Sequence, residues 1–305
     1  PRREVCYRAD HIYGPYEKKV ILETEFAGFG GVGQGTIVDA PDGKWYGFIF
    51  QDRGGVGRVP TLEPCTWKDG WPILGDEKGN VPLKMSKPVM GYNDKTIVHS
   101  DDFAKDKLDL QWQWNHNPVD EAWSLTERKG YLRLKTSRTA QNLFMAPNTL
   151  TTRMEGPTCE AVVKMDVSQM KDGDVAGFAA FQGDAALLSV AREGKKWFVL
   201  GSKDNSVLSD EQKMVTDVKH EEVYRQALKS KTIYLKISCD FRDHKDLATL
   251  SYSLDGKNWT EAIRNFRMNF DYRRLFMGTR FAIYNYATKS AGGYVDIDCF
   301  GYSKK

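Results

Sequence analysis

The sequence lacks the features that define several large classes of protein. Its five cysteines are scattered without a Cys-x-x-Cys pair, which favours buried free thiols over a zinc site or a dense disulfide framework. The longest apolar runs, such as Trp45–Phe50, fall far short of the roughly 20 residues of a membrane helix. The 44 Lys and Arg against 41 Asp and Glu leave a net charge of +3 with no block of like charges. The sequence therefore argues against a membrane span and against a nucleic-acid partner.

The chain also lacks an amino-terminal methionine and an apolar leader, since it opens Pro-Arg-Arg-Glu. This start indicates either a leader that has been removed or a piece of a longer protein. An odd number of cysteines would leave one thiol over in an oxidising compartment. Periplasmic or extracellular and cytoplasmic locations all stay open.

Helical periodicity is almost absent, and short β-branched or aromatic runs between turn signals predict an all-β chain. The predicted strands are Lys44–Phe50, Tyr131–Thr136, Glu160–Val167, Ala176–Phe181, Trp197–Gly201, Thr232–Ser238, Ala248–Leu254 and Thr279–Tyr284. Asp-Gly pairs at 42, 172 and 255 predict tight hairpins. The stretch Asp210–Lys229 mixes helix formers, and we expect a loop with at most a turn of helix.

The length of 305 residues suggests two domains at about 150 residues each. The pattern changes near residues 82–100, where Pro and Gly interrupt a segment without periodicity, and we place a linker there. This division gives a glycine-rich first domain over 1–92 and a second over 93–305. Strands in the second domain recur every 8–12 residues or so, as in a β-sandwich.

Motifs along the whole chain resemble one family. Those of the first domain are Arg8–Glu17, Gly33–Asp39, Trp45–Asp52, Gly57–Val59 and Trp67–Pro72, and those of the second are Asp101–Phe103, Leu110–Pro118, Gly130–Leu134 and Asp296–Phe300. In order and spacing they resemble the end of a glycoside hydrolase family 43 propeller and the β-sandwich that follows it in β-xylosidase-like and α-L-arabinofuranosidase-like members. The resemblance implies a partial β-propeller of about two blades followed by a concanavalin-like, jelly-roll sandwich. It also implies an inverting glycosidase that acts on xylose- and arabinose-containing carbohydrates.

Inverting hydrolysis needs a carboxylate base and a carboxylic acid about 6.5–9.5 Å apart. The resemblance places both on earlier blades, so we expect no catalytic residue in this chain. About two blades cannot close a ring, and we expect the C-terminal portion of a longer enzyme that is inactive by itself. The first part of the propeller would be missing or carried by a second polypeptide. Among the local carboxylates, at residues 39, 52, 63 and 69, turn capping is the favoured role, and Asp52 is the best neighbour of an active site.

Four residues are candidates for sugar binding. The resemblance implies that Gln34 stands near the propeller axis, although Gly33 replaces the His that precedes it in some members; turn structure is the alternative. It also implies that Arg58 reaches the sugar, and a planar guanidinium suits this because it can donate to two oxygens at once. A surface arginine in a Gly-rich loop is the alternative. Asp52 and the loop residue His116 complete the set, with His116 expected at a cleft edge.

In the sandwich, Asp102 at the start of the first strand and Asp298 at the start of the last are expected to approach one another. Hard oxygen ligands of this kind suit a structural Ca²⁺, and solvated strand-end acids are the alternative. The aromatic group of Trp112, Trp114 and Trp123 could form a sugar platform, but its strand-like alternation favours core packing. Two other roles of the sandwich therefore stay open: non-catalytic carbohydrate binding and bracing of the propeller.

Overall fold

The computed structural model describes residues 2–93 and 95–304 and confirms the all-β prediction. The chain divides into two compact units, the first comprising Pro1–Arg53 and Gly57–Lys95 and the second comprising Gly54–Val56 and Thr96–Lys305. The described part of the chain holds no helix with the length and apolar character that a bilayer span requires. Within residues 2–93 and 95–304, four short 3₁₀ turns interrupt the strands, at Gly54–Val56, Asp120–Ala122, Leu143–Met145 and Arg242–His244.

The first unit consists of three small antiparallel sheets. Its strands are β1 (Glu4–Arg8), β2 (Glu17–Leu22), β3 (Glu25–Phe26), β4 (Phe29–Gly31), β5 (Gly33–Asp39), β6 (Trp45–Asp52), β7 (Arg58–Lys68) and β8 (Trp71–Leu74). Strands β5 to β8 form a four-stranded meander, as in a propeller blade, whereas β1 pairs with β2 and β3 with β4. The predicted turn at Asp42 joins β5 to β6: its Oδ1 accepts from the Lys44 amide at 3.0 Å, and Gly43 takes a φ of 77°. This unit is the partial propeller.

The second unit is a sandwich of two seven-stranded antiparallel sheets. Its strands are β9 (Gln113–Trp114), β10 (Trp123–Ser124), β11 (Leu132–Lys135), β12 (Leu150–Arg153), β13 (Thr158–Asp166), β14 (Asp174–Phe181), β15 (Ala185–Glu193), β16 (Lys196–Leu208), β17 (Val215–Leu228), β18 (Thr232–Asp240), β19 (Leu247–Ser253), β20 (Thr260–Arg267), β21 (Arg280–Ala287) and β22 (Tyr294–Lys304). The sheet orders are β10-β11-β22-β13-β18-β19-β20 and β17-β16-β15-β14-β21-β12-β9. Alternate residues of these strands, such as Val163 and Phe178, are fully buried in the core between the sheets.

Two local predictions were wrong. The segment that begins at Asp210 contains β17, a 14-residue strand, instead of a loop with a helical turn. This strand lies at the edge of its sheet and most of its residues are exposed, so it carries polar side chains on both faces and shows no clear alternation. The Asp-Gly pair at 172 joins β13 and β14, which lie in different sheets, so it forms a connection between sheets and no hairpin.

Candidate functional site

Two of the predicted sugar-binding residues lie side by side in the first unit. Asp52 ends β6 and Arg58 begins β7, directly opposite one another, and Arg58 Nε donates to Asp52 Oδ1 at 3.2 Å. Arg2 donates to the other oxygen of the same carboxylate. Both guanidinium groups lie over the Phe50 ring, with the Arg58 and Arg2 carbons 4.3 and 4.6 Å from its centroid. Asp52 therefore acts as an acceptor that orients two arginines on an aromatic surface.

This cluster borders a cleft of about 580 Å³ that is lined by Arg2, Asp52 and the residues around β3 and β4. The volume is that of a small-ligand pocket. Close packing of the backbone shapes one wall, because a Cβ on Gly31 would lie 2.2 Å from the Arg2 carbonyl oxygen. Glu23 and Glu25 also line the cleft, so it offers both acceptors and donors to a polyhydroxylated ligand.

Gln34 is exposed and lies in an irregular stretch of β5, where the pairing with β6 skips from Gly33 to Thr36. Its φ of 66° and the hydrogen bond from its amide to the Glu4 carboxylate accompany this irregularity of the strand. Among the residues that the structure describes, Gln34 does not line the cleft beside Asp52. Its role at the sugar stays a prediction.

Glu63, which the sequence analysis did not assign to the site, has the most unusual environment among the carboxylates of this unit. Glu63 is fully buried in β7, opposite Gly47, and neither of its oxygens has a hydrogen-bond partner of ordinary geometry among the described residues. Burial raises its pKa from 4.5 to about 7. Pro64, which follows Glu63, hid this burial from sequence analysis. The available signal was the two-residue period of a strand, because Glu63 stands two residues before the buried Cys65 and so shares its face.

His116 is exposed in the second unit, and its Nε2 lies 2.8 Å from the carbonyl oxygen of Phe144. This contact fixes the ring against the loop that precedes β12. The neighbouring residue Asn115 lines a cleft of the sandwich. The predicted position of His116 at a cleft edge in the complete protein stays a prediction.

The predicted calcium pair lies on neighbouring segments, because Asp101 forms a bridge with Phe300 of the last strand. Asp298, however, lies inside β22 at an irregularity of its pairing with β13 and forms an ion pair with Lys164. Asp102 accepts from the Ala104 amide at 3.1 Å. No group of three or more His, Cys, Asp or Glu side chains suited to a metal occurs in 2–93 and 95–304. The site stays a prediction that these residues do not favour, since Ca²⁺ would compete with the Lys164 ammonium.

The tryptophan group packs mainly into the sandwich. Trp112 is buried in the core, and its indole donates to Asp101 at 2.8 Å. Trp114 and Trp123 are half-buried, with ring centroids 5.3 Å apart. Core packing is confirmed for Trp112, whereas Trp114 also contributes to the cleft beside Asn115.

The sequence and the fold are similar to known proteins. Residues 100–303 match the family of the beta xylosidase C-terminal concanavalin A-like domain. A β-xylosidase of Formosa agariphila is 34% identical over 99% of this chain and 53% of its own length. A bifunctional GH43-CE structure from Bacteroides eggerthii has 42% identity and a TM-score of 0.85, covering 99% of this chain and 37% of that one. An engineered GH43 hydrolase with endo-xylanase and exo-arabinofuranosidase activity has 29% identity and a TM-score of 0.88, and the match covers 99% of this chain and 60% of that one. The chain spans about half the length of the curated relatives that it matches.

Proposed function

Because this chain belongs to glycoside hydrolase family 43, in the group that carries the β-xylosidase C-terminal concanavalin A-like domain, we propose that it is part of a glycosidase of xylose- or arabinose-containing carbohydrates. The observation that carries the proposal is the 34% identity to a β-xylosidase along 99% of the chain, which includes both units. The substrate would be a xylan or arabinan chain or an oligosaccharide released from one. The reaction would be inverting O-glycosyl hydrolysis.

In this proposal the catalytic base and acid lie outside residues 1–305. Asp52 is poorly suited to either role because an arginine engages each of its oxygens. Glu63 is enclosed in the core of its unit and is closed to substrate. The first unit instead contributes binding groups. Asp52 holds the Arg58 guanidinium so that it can donate to a sugar hydroxyl, and the Phe50 ring supports this guanidinium through a cation–π contact.

The proposed division of labour is tested by comparing this chain with the complete protein on aryl β-xylosides and aryl α-L-arabinofuranosides. We expect hydrolysis only from the complete protein. Native mass beside denaturing mass shows whether a second polypeptide supplies the remaining propeller. Hydrolysis by the 305-residue chain alone would overturn the assignment of the carboxylates, and an inactive complete protein would overturn the glycosidase itself.

Arg58 provides the matching test within this chain. In the complete protein, Arg58→Ala is expected to lower kcat/KM ten- to a hundredfold, since a hydrogen bond from a charged donor is worth about 1.5–3 kcal/mol. Lys84→Ala, which removes an exposed charge of the same unit, serves as the control. If Arg58→Ala and Lys84→Ala change kcat/KM equally, Arg58 does not contact the sugar.

A further inference from the structure

The sandwich has a cleft of its own, with a volume of about 520 Å³. It lies where β9, β12 and the start of β21 meet at one end of their sheet. Two aromatic rings and four polar side chains contribute most of its lining: Trp114, Phe276, Gln113, Asn115, Thr151 and Arg280. A flat apolar wall beside convergent polar groups is the usual construction of a small-ligand site.

Arg280 is the most informative of these residues. Its Nη1 donates to Thr151 Oγ1 at 3.2 Å and to the side-chain oxygen of Gln113. Within the described ranges no carboxylate lies at ion-pair distance from this guanidinium, and Nε and Nη2 donate to no protein acceptor. These two groups form the edge of a guanidinium that binds a carboxylate through two parallel hydrogen bonds. The edge that would bind an anion is therefore the one that the protein leaves unused.

A second arginine increases the positive charge at this place. Arg153 of β12 pairs directly with Arg280 of β21, and the described part of the chain offers it no acidic partner either. Like charges directly opposite on neighbouring strands destabilise a sheet. Burial and the charge of Arg153 both lower the pKa of Arg280. Arg153 is not part of the cleft lining, but its charge adds to the positive potential beside Arg280, and an anion bound to Arg280 would reduce the repulsion between the two cations.

The remaining lining favours a sugar over a simple anion. Phe276 lines one side of the cleft and is held edge-on against Phe270, with ring centroids 6.1 Å apart. Trp114 offers an apolar face on which the C–H side of a pyranose can stack. The Asn115 amide nitrogen is buried behind this lining and has no hydrogen-bond partner among the described residues.

We propose that this cleft binds an acidic saccharide of the uronic acid class, with its carboxylate on the Nε–Nη2 edge of Arg280 and its ring against Trp114. The inference deepens the proposed function and rests on it for the ligand's context, a xylan chain with uronic acid side groups. The cleft would hold the substituted part of the chain and so select acidic regions of the polysaccharide.

Calorimetric titration of the 305-residue chain at low ionic strength tests the proposal. The ligands are a xylo-oligosaccharide with a glucuronic acid substituent, the neutral oligosaccharide of the same length, and sodium glucuronate. We expect the acidic oligosaccharide to bind at least tenfold more tightly than the other two. Equal affinity for the neutral ligand, or no binding of the acidic one at millimolar concentration, would overturn the proposal. If sodium glucuronate binds as tightly as the acidic oligosaccharide, the cleft is only an anion site, and the proposal that it binds a saccharide is overturned.

Two substitutions locate the binding. Arg280→Gln is expected to lower the affinity for the acidic oligosaccharide at least tenfold and to change the neutral affinity less than twofold. Arg153→Gln lies at an exposed position, so it is expected to fold and to weaken acidic binding severalfold. The control is Arg264→Gln, which removes an exposed arginine paired with Glu261 on β20. If Arg153→Gln and the control behave alike, and Arg280→Gln folds without loss of affinity, the site is wrong.

These measurements involve no hydrolysis, so they separate the cleft from the glycosidase activity. Acidic binding with an inactive complete protein would support the cleft and refute the enzyme. An active enzyme without acidic binding would refute the cleft alone.

Discussion

The buried carboxyl of Glu63 makes the stability of the first unit dependent on pH. Its oxygens find no hydrogen-bond partner of ordinary geometry in the described chain, and Oε2 would lie 3.3 Å from a Cβ placed on Gly47. Leu74 fills the same space, and the charge of Glu4 adds to the effect of burial. A negative charge is therefore unfavourable at this place, and the folded unit holds the proton more tightly than the unfolded chain does.

The sign and size of the effect follow from linkage. Between the unfolded pKa of 4.5 and the folded value of about 7, the folded state binds more protons than the unfolded state. The contribution of this group to stability is therefore fully present below pH 4.5 and is lost as the pH rises through 7. The pKa difference corresponds to a loss of about 3 kcal/mol from this group once both states are ionised. The Glu63→Gln variant cannot ionise and should escape this loss.

Hydrogen–deuterium exchange of peptides from β6 and β7, followed by mass spectrometry, reports on this unit alone. At pH 5 the wild type and Glu63→Gln should exchange at similar rates. At pH 8 the variant should be protected more strongly, by up to about a hundredfold, which corresponds to roughly 3 kcal/mol. Glu77→Gln, at an exposed position of the same unit, is the control. If the ratio of the two exchange rates, wild type to Glu63→Gln, is the same at pH 5 and at pH 8, the argument is refuted.

Three further predictions concern packing and charge. Asp296 is 3% exposed and accepts bonds from two arginines, so Asp296→Asn should lower the free energy of unfolding by about 3 kcal/mol in urea titrations; an unchanged midpoint would show that the pairs contribute nothing. Since Lys164 pairs with Asp298, calcium added to chelator-treated protein should shift Tm by less than about 2 °C, which corresponds to less than about 1 kcal/mol; a larger rise would support the predicted calcium site. A Cβ on Gly35 would lie 2.1 Å from a carbonyl oxygen of β6, whereas one on Gly30 would meet nothing within 4 Å. Gly35→Ala should therefore destabilise the first unit by about 1–3 kcal/mol relative to Gly30→Ala, measured by the same exchange experiment; equal protection in the two variants would contradict it.

Much of the fold was predictable because β-strands carry their signal in consecutive residues. The segments around Trp45–Phe50 and Thr232–Ser238 alternate or are continuously apolar, and both are strands in the structure. The edge strand β17 escaped because no face of it is buried along most of its length. An alternating pattern arises only where one face meets a core.

The candidate sites were predictable in part. The resemblance singled out Asp52 and Arg58, and the tight connection between β6 and β7 places them opposite one another. Glu63 was set aside because a proline follows it, and only the packing of Leu74 and Gly47 around it shows that it is buried. A carboxyl's solvation depends on neighbours that are distant in sequence.

By itself the sequence determined the class of fold, the family and the short-range pairs, because strand period, turn chemistry and motif spacing are local properties. The tertiary structure alone decided that Arg153 and Arg280 face each other, although 126 residues separate them along the chain. It also decided that Trp114 and Asn115 line the same cleft as Arg280. The register of distant strands sets these juxtapositions, and charge compensation within a site can be judged only after that register is known.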